Sequence, residues 1–303
     1  MSAGLERVPF SSGELELEVI PALGGKLSVL RRRGGENVLL APPDHPHRVP
    51  DVDGAFDAHD TSGFDECFPT VAACEVESHP LPDHGQTWSR PARVTRIGAA
   101  LRIDSELPGS RFSRTLHVHD STLEIEYEAI ASRRMPALWS SHPLLAVRPG
   151  MQILLPREVR SLFVEWSANG SLGGRVDWPV HGGVRMDLVQ HPSAGRAHKL
   201  FTDTLTEGAC ALYDPVRDEA LTFTFDPREV PCVGLWVCEG GWPTTRASKH
   251  YTVALEPCSG RPDSLAAARL LGTAFVLEPD VPRRWRMALT LSRGRPHPWK
   301  DAS

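Results

Sequence analysis

The chain has 303 residues, and its 33 lysines and arginines against 38 aspartates and glutamates give a formal net charge of −5. This balance offers no electrostatic reason to hold a polyanion, so the composition disfavours a general role in binding nucleic acid or anionic membranes. Hydrophobic residues make up 41% of the chain and charged residues 23%, which is typical of a folded globular protein.

Nothing in the sequence has the character of an export signal or a membrane span. No apolar run approaches the roughly 18 residues that cross a bilayer, and the first 20 residues carry four glutamates where a signal peptide needs an apolar core. The six cysteines include no pair with the two-residue gap of a zinc knuckle or redox motif. We therefore expect a soluble, cytoplasmic protein whose thiols are reduced and mostly buried.

Apolar and polar residues alternate along most of the chain, a pattern that predicts half-buried antiparallel strands. The alternating segments lie at residues 15–19, 116–118, 123–129, 221–225, 251–255 and 285–291. The chain contains 27 prolines and 25 glycines, which mark turns between the strands. Because no composition break or internal repeat divides the chain, we predict an all-β protein in which residues 1–303 form one large antiparallel β-sandwich domain.

The segment from Pro42 to Thr61 has little periodicity and many histidines and aspartates, a composition compatible with a metal site. These residues are Asp44, His45, His47, Asp51, Asp53, Asp57, His59 and Asp60. Their irregular spacing favours a solvated loop, and the length of the segment also suits a lid over a cleft. Metal-dependent isomerase or lyase chemistry is therefore kept as an alternative.

His84 stands between Asp83 and Gly85, where the glycine would let a ligand approach the backbone closely. Four residues later, Trp88 offers an apolar surface of the kind that stacks on sugar rings. The alternative is an ordinary turn in which Asp83 accepts hydrogen bonds from local amides.

Two further titratable residues lie inside strand patterns. His142 is embedded in an apolar strand before Pro143, so it either finds partners within the core or faces a cleft, where its usual pKa suits proton transfer. Glu256 shares one strand face with Thr252 and Ala254, which predicts a shallow floor ending in one proton acceptor. A glutamate exposed to solvent is the alternative.

One stretch near the C-terminus predicts a helix. Asp263 or Ser264 can act as the N-cap of residues 265–271, and Gly272 suits the C-terminal stop. A helix this short packs on a larger structure rather than forming a domain of its own.

Six motifs follow one another along nearly the whole chain, at residues 21–30, 63–70, 83–85, 141–143, 234–236 and 255–257. In this order they resemble the aldose 1-epimerase (galactose mutarotase-like) family. The resemblance implies a supersandwich with a sugar cleft on the concave face of one sheet. It also implies an enzyme that interconverts the α and β anomers of an aldose, with no metal or organic cofactor.

The resemblance also assigns roles to three residues. His142 matches the histidine that acts as general acid on the ring oxygen, and Glu256 matches the glutamate that acts as general base on the anomeric hydroxyl. His84 matches the histidine that contacts the sugar beside the ring oxygen. Opening a hemiacetal requires one group to take the C1 hydroxyl proton and another to protonate the ring oxygen, so the assigned roles are chemically coherent.

The chain departs from the family pattern after Phe68 and Pro69, where Thr70 replaces the start of an Asn-Arg pair whose arginine contacts sugar hydroxyls. We hypothesise that Asp65 and Glu66 replace this contact as acceptors for sugar hydroxyls. On this hypothesis, Glu66→Ala weakens the binding of a neutral sugar.

Three other features bear on the substrate. Leu144 and Leu145 follow the His-Pro motif and make the pocket more apolar, so the sugar need not be galactose. Trp236 lies on the opposite strand face from Leu235, where its indole would stack on a pyranose, although a buried tryptophan is the alternative. Lys199 is a further candidate for substrate binding.

Arg31, Arg32 and Arg33 raise the alternative of a hexose-6-phosphate 1-epimerase, although a solvated strand end explains a basic run more simply. A non-catalytic carbohydrate-binding or sensing protein on the same fold is the other rival, because binding and turnover use similar residues. The expected partner is a small-molecule sugar, with no nucleic acid and no membrane, and the expected assembly is a monomer or homodimer.

Overall fold

The computed structural model describes residues 5–42, 47–59, 61–243 and 249–296. Within these ranges the strands are, in chain order, β1 (Val8–Ser12), β2 (Leu15–Ile20), β3 (Lys26–Arg32), β4 (Phe64–Cys67), β5 (Cys74–Val76), β6 (His79–Leu81), β7 (Arg93–Ile97), β8 (Ala100–Leu107), β9 (Ser110–His119), β10 (Thr122–Ala131), β11 (Met135–Ala137), β12 (Ser140–Leu145), β13 (Gln152–Leu154), β14 (Ser161–Ser167), β15 (Arg175–Asp177), β16 (Val180–His181), β17 (Val184–Arg185), β18 (Arg196–Phe201), β19 (Ala209–Asp214), β20 (Glu219–Phe225), β21 (Cys232–Glu239), β22 (Tyr251–Cys258), β23 (Phe275–Leu277) and β24 (Arg283–Arg293). The helices are α1 (Leu265–Leu271) and the short 3₁₀ helices Pro21–Leu23, Phe56–Ala58, Ala168–Gly170 and Pro192–Ala194.

Two large antiparallel sheets dominate the structure. The ten-stranded sheet has the order β1-β2-β3-β4-β12-β22-β21-β18-β14-β15, and the eight-stranded sheet has the order β13-β19-β20-β24-β10-β9-β8-β7. Their facing sides share one hydrophobic core, to which Leu17 and Leu235 contribute from the first sheet and Ile125 and Leu289 from the second. The predicted all-β fold, a large antiparallel β-sandwich, is confirmed.

Strand β10 shows why the alternating pattern succeeds in the eight-stranded sheet. Leu123, Ile125 and Tyr127 are almost fully buried, whereas Glu126 between them is exposed. Antiparallel pairing with β9 and β24 preserves this alternation across three neighbouring strands. One face therefore packs on the other sheet while the opposite face contacts water.

The pattern fails for β22, which is not half-buried as predicted. Val253 and Leu255 face the core, but Thr252, Ala254 and Glu256 on the other side are also buried. The strand lies between β12 and β21 near the middle of the ten-stranded sheet, and loops and the ends of other strands cover its second face. A polar residue on an alternating strand is therefore not always exposed to solvent.

The predicted helix is confirmed as α1. Ser264 is its N-cap, with a side chain that accepts a hydrogen bond from Ala267 N at 3.4 Å, and Gly272 ends it in a left-handed conformation. In the described part of the chain no helix has the length and apolar character of a membrane span. All six cysteines are free thiols, and five of them are buried.

Strand β18 contains a buried histidine that makes stability depend on pH. His198 lies on the core side with Leu200, and burial, with a contribution from Arg196, lowers its pKa to about 4. In the unfolded chain the pKa returns to about 6.5, so between these values the unfolded state binds more protons. The stabilising contribution is therefore present above pH 6.5 and is lost as the pH falls towards 4.

We expect chemical denaturation to show a fall in the free energy of unfolding between pH 7.5 and 4.5 that is partly absent in His198→Gln. The part of this fall that His198 causes is at most about 3 kcal/mol in the free energy of unfolding, since one pKa unit is equivalent to about 1.4 kcal/mol. Identical slopes for the wild type and the variant would contradict the assignment.

Candidate active site

A cavity of about 250 Å³ lies on the face of the ten-stranded sheet that points away from the core. Five of the seven predicted site residues line it. They are His84 from the connection between β6 and β7, His142 from β12, Lys199 from β18, Trp236 from β21 and Glu256 from β22. The antiparallel order of the sheet thus brings together residues that are far apart in the sequence.

The register of β12 and β22 puts the candidate acid and base at one level of the sheet. Ser140 pairs with Cys258 and Leu144 pairs with Ala254, so His142 lies across from Glu256 midway between these pairs. Neighbouring strands are about 4.8 Å apart. Side chains on the same face of these two positions therefore point into the same space, which is the cavity they both line.

Glu256 is completely buried, and its two carboxylate oxygens have different surroundings. Oε2 accepts a hydrogen bond from Lys199 Nζ and lies 3.5 Å from Ser140 Oγ. Oε1 is buried with no hydrogen-bond partner among the residues that the structure describes. Since buried polar atoms are normally paired, Oε1 is suited to accept a proton or hydrogen bond from a ligand in the cavity.

A glycine makes room for this carboxylate. Gly234 on β21 is the register partner of Glu256, and a Cβ placed there would lie 3.2 Å from Oε2. The missing side chain lets the carboxylate lie over β21 and reach Lys199 on the next strand.

Lys199 is held between two carboxylates. Its Nζ contacts Glu256 Oε2 and lies 3.5 Å from Asp263 Oδ1. Burial acts to lower the pKa of Lys199, but Asp263 and Glu256 outweigh it and raise the pKa above its usual value. The ammonium is therefore charged, and its hydrogen bond holds the Glu256 carboxylate in place.

The two histidines form an edge-to-face pair, with ring centroids 4.8 Å apart. His142 is buried, and its Nδ1 has no hydrogen-bond partner within the described ranges. Burial holds the pKa of His142 well below its usual value, and the neighbouring His84 and Lys199 act in the same direction. The neutral form of His142 therefore predominates near pH 7, and its protonated form gives up a proton more readily than an ordinary imidazolium.

His84 is placed by a tight turn with an unusual backbone. Its φ is +59° and that of Gly85 is +71°, and a Cβ on Gly85 would lie 2.4 Å from Phe68 O. The glycine thus permits close approach of the protein's own strand, not of a ligand as the sequence predicted. Asp83 Oδ2 lies 3.1 Å from His84 Nδ1, and although burial raises the pKa of Asp83, the neighbouring His84 lowers it overall.

Trp88 is not a sugar platform, contrary to the prediction. It is 4% exposed, and its Nε1 donates a hydrogen bond to Asp83 O at 3.0 Å. Its ring packs edge-on against Phe56 with centroids 5.1 Å apart. Trp88 therefore packs behind the turn that carries His84 and supports this turn through its aromatic ring and its one polar atom.

Phe56 links the histidine- and aspartate-rich segment to the cavity. Its ring stacks on His84 with centroids 3.9 Å apart and meets His142 edge-on at 5.3 Å. Asp57 and Thr61 of the same segment also line the cavity. Part of this segment therefore contacts the cavity, whereas Asp44, His45 and Asp60 lie outside the described residues. Among those that are described, no group of three or more side chains is arranged to hold a metal.

The structure does not bring Asp65 and Glu66 to the cavity. Asp65 forms a buried ion pair with Lys26 at 2.7 Å. The Glu66 carboxylate points into the core between the sheets. It accepts hydrogen bonds from Arg114 Nη1 at 2.7 Å and Tyr127 OH at 3.1 Å, both on the eight-stranded sheet, and from Trp139 Nε1 at 2.8 Å in the connection between β11 and β12. The hypothesis that Glu66 replaces the missing sugar contact was wrong, because its oxygens are already occupied in the core.

Several cavity residues were missed by the sequence interpretation. Asp263 is predicted only as a helix cap, yet it lines the cavity. Burial, reinforced by Glu256, raises the pKa of Asp263 even though Lys199 acts to lower it. Trp166, Trp242 and His250 come from segments that showed no motif. The proximity of Asp263 to a helix start was the one available signal, and it indicated capping rather than ligand contact.

The two sheets and the cavity on the ten-stranded sheet define a large β-sandwich of the supersandwich type. Three solved structures share this fold over at least 95% of each chain. The Slr1438 protein from Synechocystis sp. PCC 6803 is 16% identical, with a TM-score of 0.71, 96% of this chain and 97% of that chain being covered. A galactose mutarotase-like protein from Lactobacillus casei is 14% identical, with a TM-score of 0.65 and coverages of 95% and 100%.

A galactose mutarotase related enzyme from Lactobacillus acidophilus is 12% identical, with a TM-score of 0.69 and coverages of 95% and 98%. The chain therefore has the galactose mutarotase-like fold, as the six motifs predicted. Neither a protein-family profile nor a curated protein sequence matches the chain.

Proposed function

We propose that the protein is an aldose 1-epimerase that interconverts the α and β anomers of a neutral sugar. The observation that carries this proposal is the pair of buried, unpartnered atoms on two side chains of one cavity, Glu256 Oε1 and His142 Nδ1. A base and an acid facing the same ligand are what reversible hemiacetal opening requires. The mutarotase-like neighbours add support at the level of the fold.

In the proposed reaction, Glu256 Oε1 takes the proton of the C1 hydroxyl while the protonated form of His142, which is the minor form near pH 7, gives a proton to the ring oxygen. The bond between C1 and the ring oxygen breaks, and an open-chain aldehyde forms. After rotation about the C1–C2 bond, both protons return and the ring closes with the opposite configuration at C1. His84, held by Asp83, is the second imidazole beside the ring oxygen.

The charges around the cavity favour a neutral sugar over a phosphorylated one. Four carboxylates and a single lysine are present among the described lining residues, together with three histidines; the carboxylates belong to Asp57, Asp83, Glu256 and Asp263. A phosphate would be repelled by this excess of negative charge. Arg31 and Arg32, which raised the phosphate alternative, do not line the cavity. Arg31 pairs with Glu16 on the neighbouring strand β2, and Arg32 pairs with Glu14 just before that strand.

Polarimetry of freshly dissolved α-glucose and α-galactose tests the proposal. We expect the purified protein to speed the approach to the equilibrium rotation of at least one of them above the buffer rate. Binding of sugars without any acceleration on a broad panel of aldoses would instead favour a carbohydrate-binding or sensing protein.

Lys199 is expected to act as a positioning residue for Glu256. In Lys199→Met the buried carboxylate loses the charge-assisted hydrogen bond from Lys199 that fixes its orientation in the cavity. We expect kcat/KM to fall by about 10²-fold, of the order attributed to one general base or acid. The loss should appear in kcat more than in KM, because Lys199 positions the base.

Lys199→Arg is the matched variant for this prediction, because it keeps the positive charge. It should recover most of the kcat that Lys199→Met loses, because the guanidinium can still donate to the Glu256 carboxylate. Equal losses of kcat in Lys199→Met and Lys199→Arg would show that the positive charge of Lys199 does not position the base.

A further inference from the structure

A row of register partners crosses the floor of the cavity from the catalytic pair to the edge of the sheet. Ala254 on β22 pairs with Trp236 on β21, Trp236 pairs with Lys199 on β18, and Lys199 pairs with Trp166 on β14. At about 4.8 Å per strand, the backbone of Trp166 lies about 10 Å from that of Trp236 across the sheet, and the two side chains lean towards each other over Lys199. The cavity lining therefore continues well past the acid and base.

A β-bulge brings Trp166 to this face. Val164 pairs with Leu200, and both residues pack against the core between the two sheets. Simple alternation would turn Trp166 to the core as well, because residues i and i+2 share a face. The register of β14 shifts between Val164 and Trp166, so Trp166 instead pairs with Lys199 on the cavity side. Bulges beside active sites commonly redirect a side chain in this way.

The redirected indole joins two others in an aromatic wall, which we define as Trp166, Trp236 and Trp242. The ring centroids of Trp166 and Trp236 are 5.6 Å apart with planes tilted by 33°, and Trp242 meets Trp236 edge-on at 5.9 Å. Trp166 is 39% exposed, which is high for so large an apolar residue. All three line the cavity, so a ligand can cover this surface.

We propose that the aromatic wall is a subsite for a second sugar ring, and that the substrate is the reducing-end residue of a disaccharide or longer saccharide. This inference rests on the proposed function. Ring opening requires a free hydroxyl on C1, so the second ring must be joined through another hydroxyl of the reacting sugar. The reacting ring lies over Glu256 and His142 beside Trp236, and the second ring stacks on Trp166 across the Lys199 strand.

The proposal is consistent with the chemistry of the wall. Indole rings offer broad apolar faces to the apolar faces of pyranoses, and they lose little conformational entropy on binding. No phosphate or other charged group is needed for this contact. Without a ligand on the wall, the bulge would leave Trp166 exposed to water at a position that a polar residue could occupy equally well.

Mutarotation of disaccharides tests the subsite. Lactose, maltose, cellobiose and isomaltose all have glucose as the reducing residue, so glucose itself is the matched control substrate. We expect kcat/KM for at least one of the four to exceed that for glucose by about tenfold, as one stacked aromatic contact would provide. Trp166→Ala should remove this advantage, and Trp166→Phe should retain most of it.

The readout is the ratio of disaccharide to glucose kcat/KM, with the thermal midpoint of each variant as a check on folding. If glucose is turned over but no disaccharide is favoured, or if Trp166→Ala leaves the ratio unchanged, the subsite is overturned while the proposed function stands. If no sugar is turned over, the proposed function fails. In that case, titration of tryptophan fluorescence with the same sugars tests the subsite by binding alone. The subsite is overturned if Trp166→Ala weakens the binding of glucose and of the disaccharides equally.

Discussion

Glu256→Gln is expected to reduce mutarotation by about 10³-fold or more in kcat/KM, within the range found for removal of a general base. The amide has almost the same shape as the carboxylate but cannot accept the C1 hydroxyl proton. Lys199 would lose its closest charge partner and keep only Asp263 at 3.5 Å. Polarimetry with the sugar that the wild type turns over fastest measures the loss.

Glu239→Gln provides a matched control, because Glu239 is also a fully buried glutamate paired with a cation. It lies on β21, where Arg196 donates to its Oε2 at 2.8 Å, and it does not line the cavity. We expect this variant to retain mutarotation. Near wild-type activity in Glu256→Gln would refute the assignment of Glu256 as the base.

Glu66→Ala is expected to have the largest effect on stability, with a loss of about 3 to 5 kcal/mol in the free energy of unfolding. The substitution leaves the Arg114 guanidinium buried without its carboxylate, and it removes the acceptor of the Tyr127 and Trp139 hydrogen bonds. Burial raises the pKa of Glu66 in spite of Arg114, which shows how strongly this site disfavours an unpaired charge. Urea denaturation followed by circular dichroism measures the change.

The double variant Glu66→Leu with Arg114→Met separates charge from packing. Removing both charges together avoids a stranded ion, and such replacements are often neutral or stabilising. We expect it to recover the part of the loss that comes from the unpaired guanidinium, while the part that comes from the Tyr127 and Trp139 hydrogen bonds remains. A Glu66→Ala protein with unchanged stability but weaker sugar binding would instead restore the original hypothesis that Glu66 contacts the substrate.

The contrast between Glu66 and Glu256 shows where the sequence interpretation was limited. Both glutamates occur in short motifs of buried strands, and the alternating pattern alone does not distinguish the core side of the sheet from the cavity side. Glu66 on β4 faces Arg114 of the other sheet, whereas Glu256 on β22 faces the cavity. Only the family resemblance separated them at the sequence level, and it did so correctly for Glu256 but offered no template for Glu66.

Trp88 and Trp166 illustrate the same limit for aromatic residues. Trp88 was singled out because it follows His84 closely in sequence, yet it packs behind the turn. Trp166 had no motif beside it and reaches the cavity through a bulge. A one-residue register shift is invisible in the hydrophobic pattern, but it reverses the face of every residue that follows.

The class of fold, the position of helix α1 and five residues of the cavity could be predicted from the sequence alone; the five are His84, His142, Lys199, Trp236 and Glu256. Alternation and capping are local properties, and the family resemblance supplied the three candidate catalytic residues. Which side of the sheet each polar residue faces, and which residues meet there, depends on the tertiary structure. Lys199 and Asp263 converge on Glu256 from β18 and from the loop before α1. Such convergence depends on strand order and register, which are set by packing over the whole chain and not by any local segment.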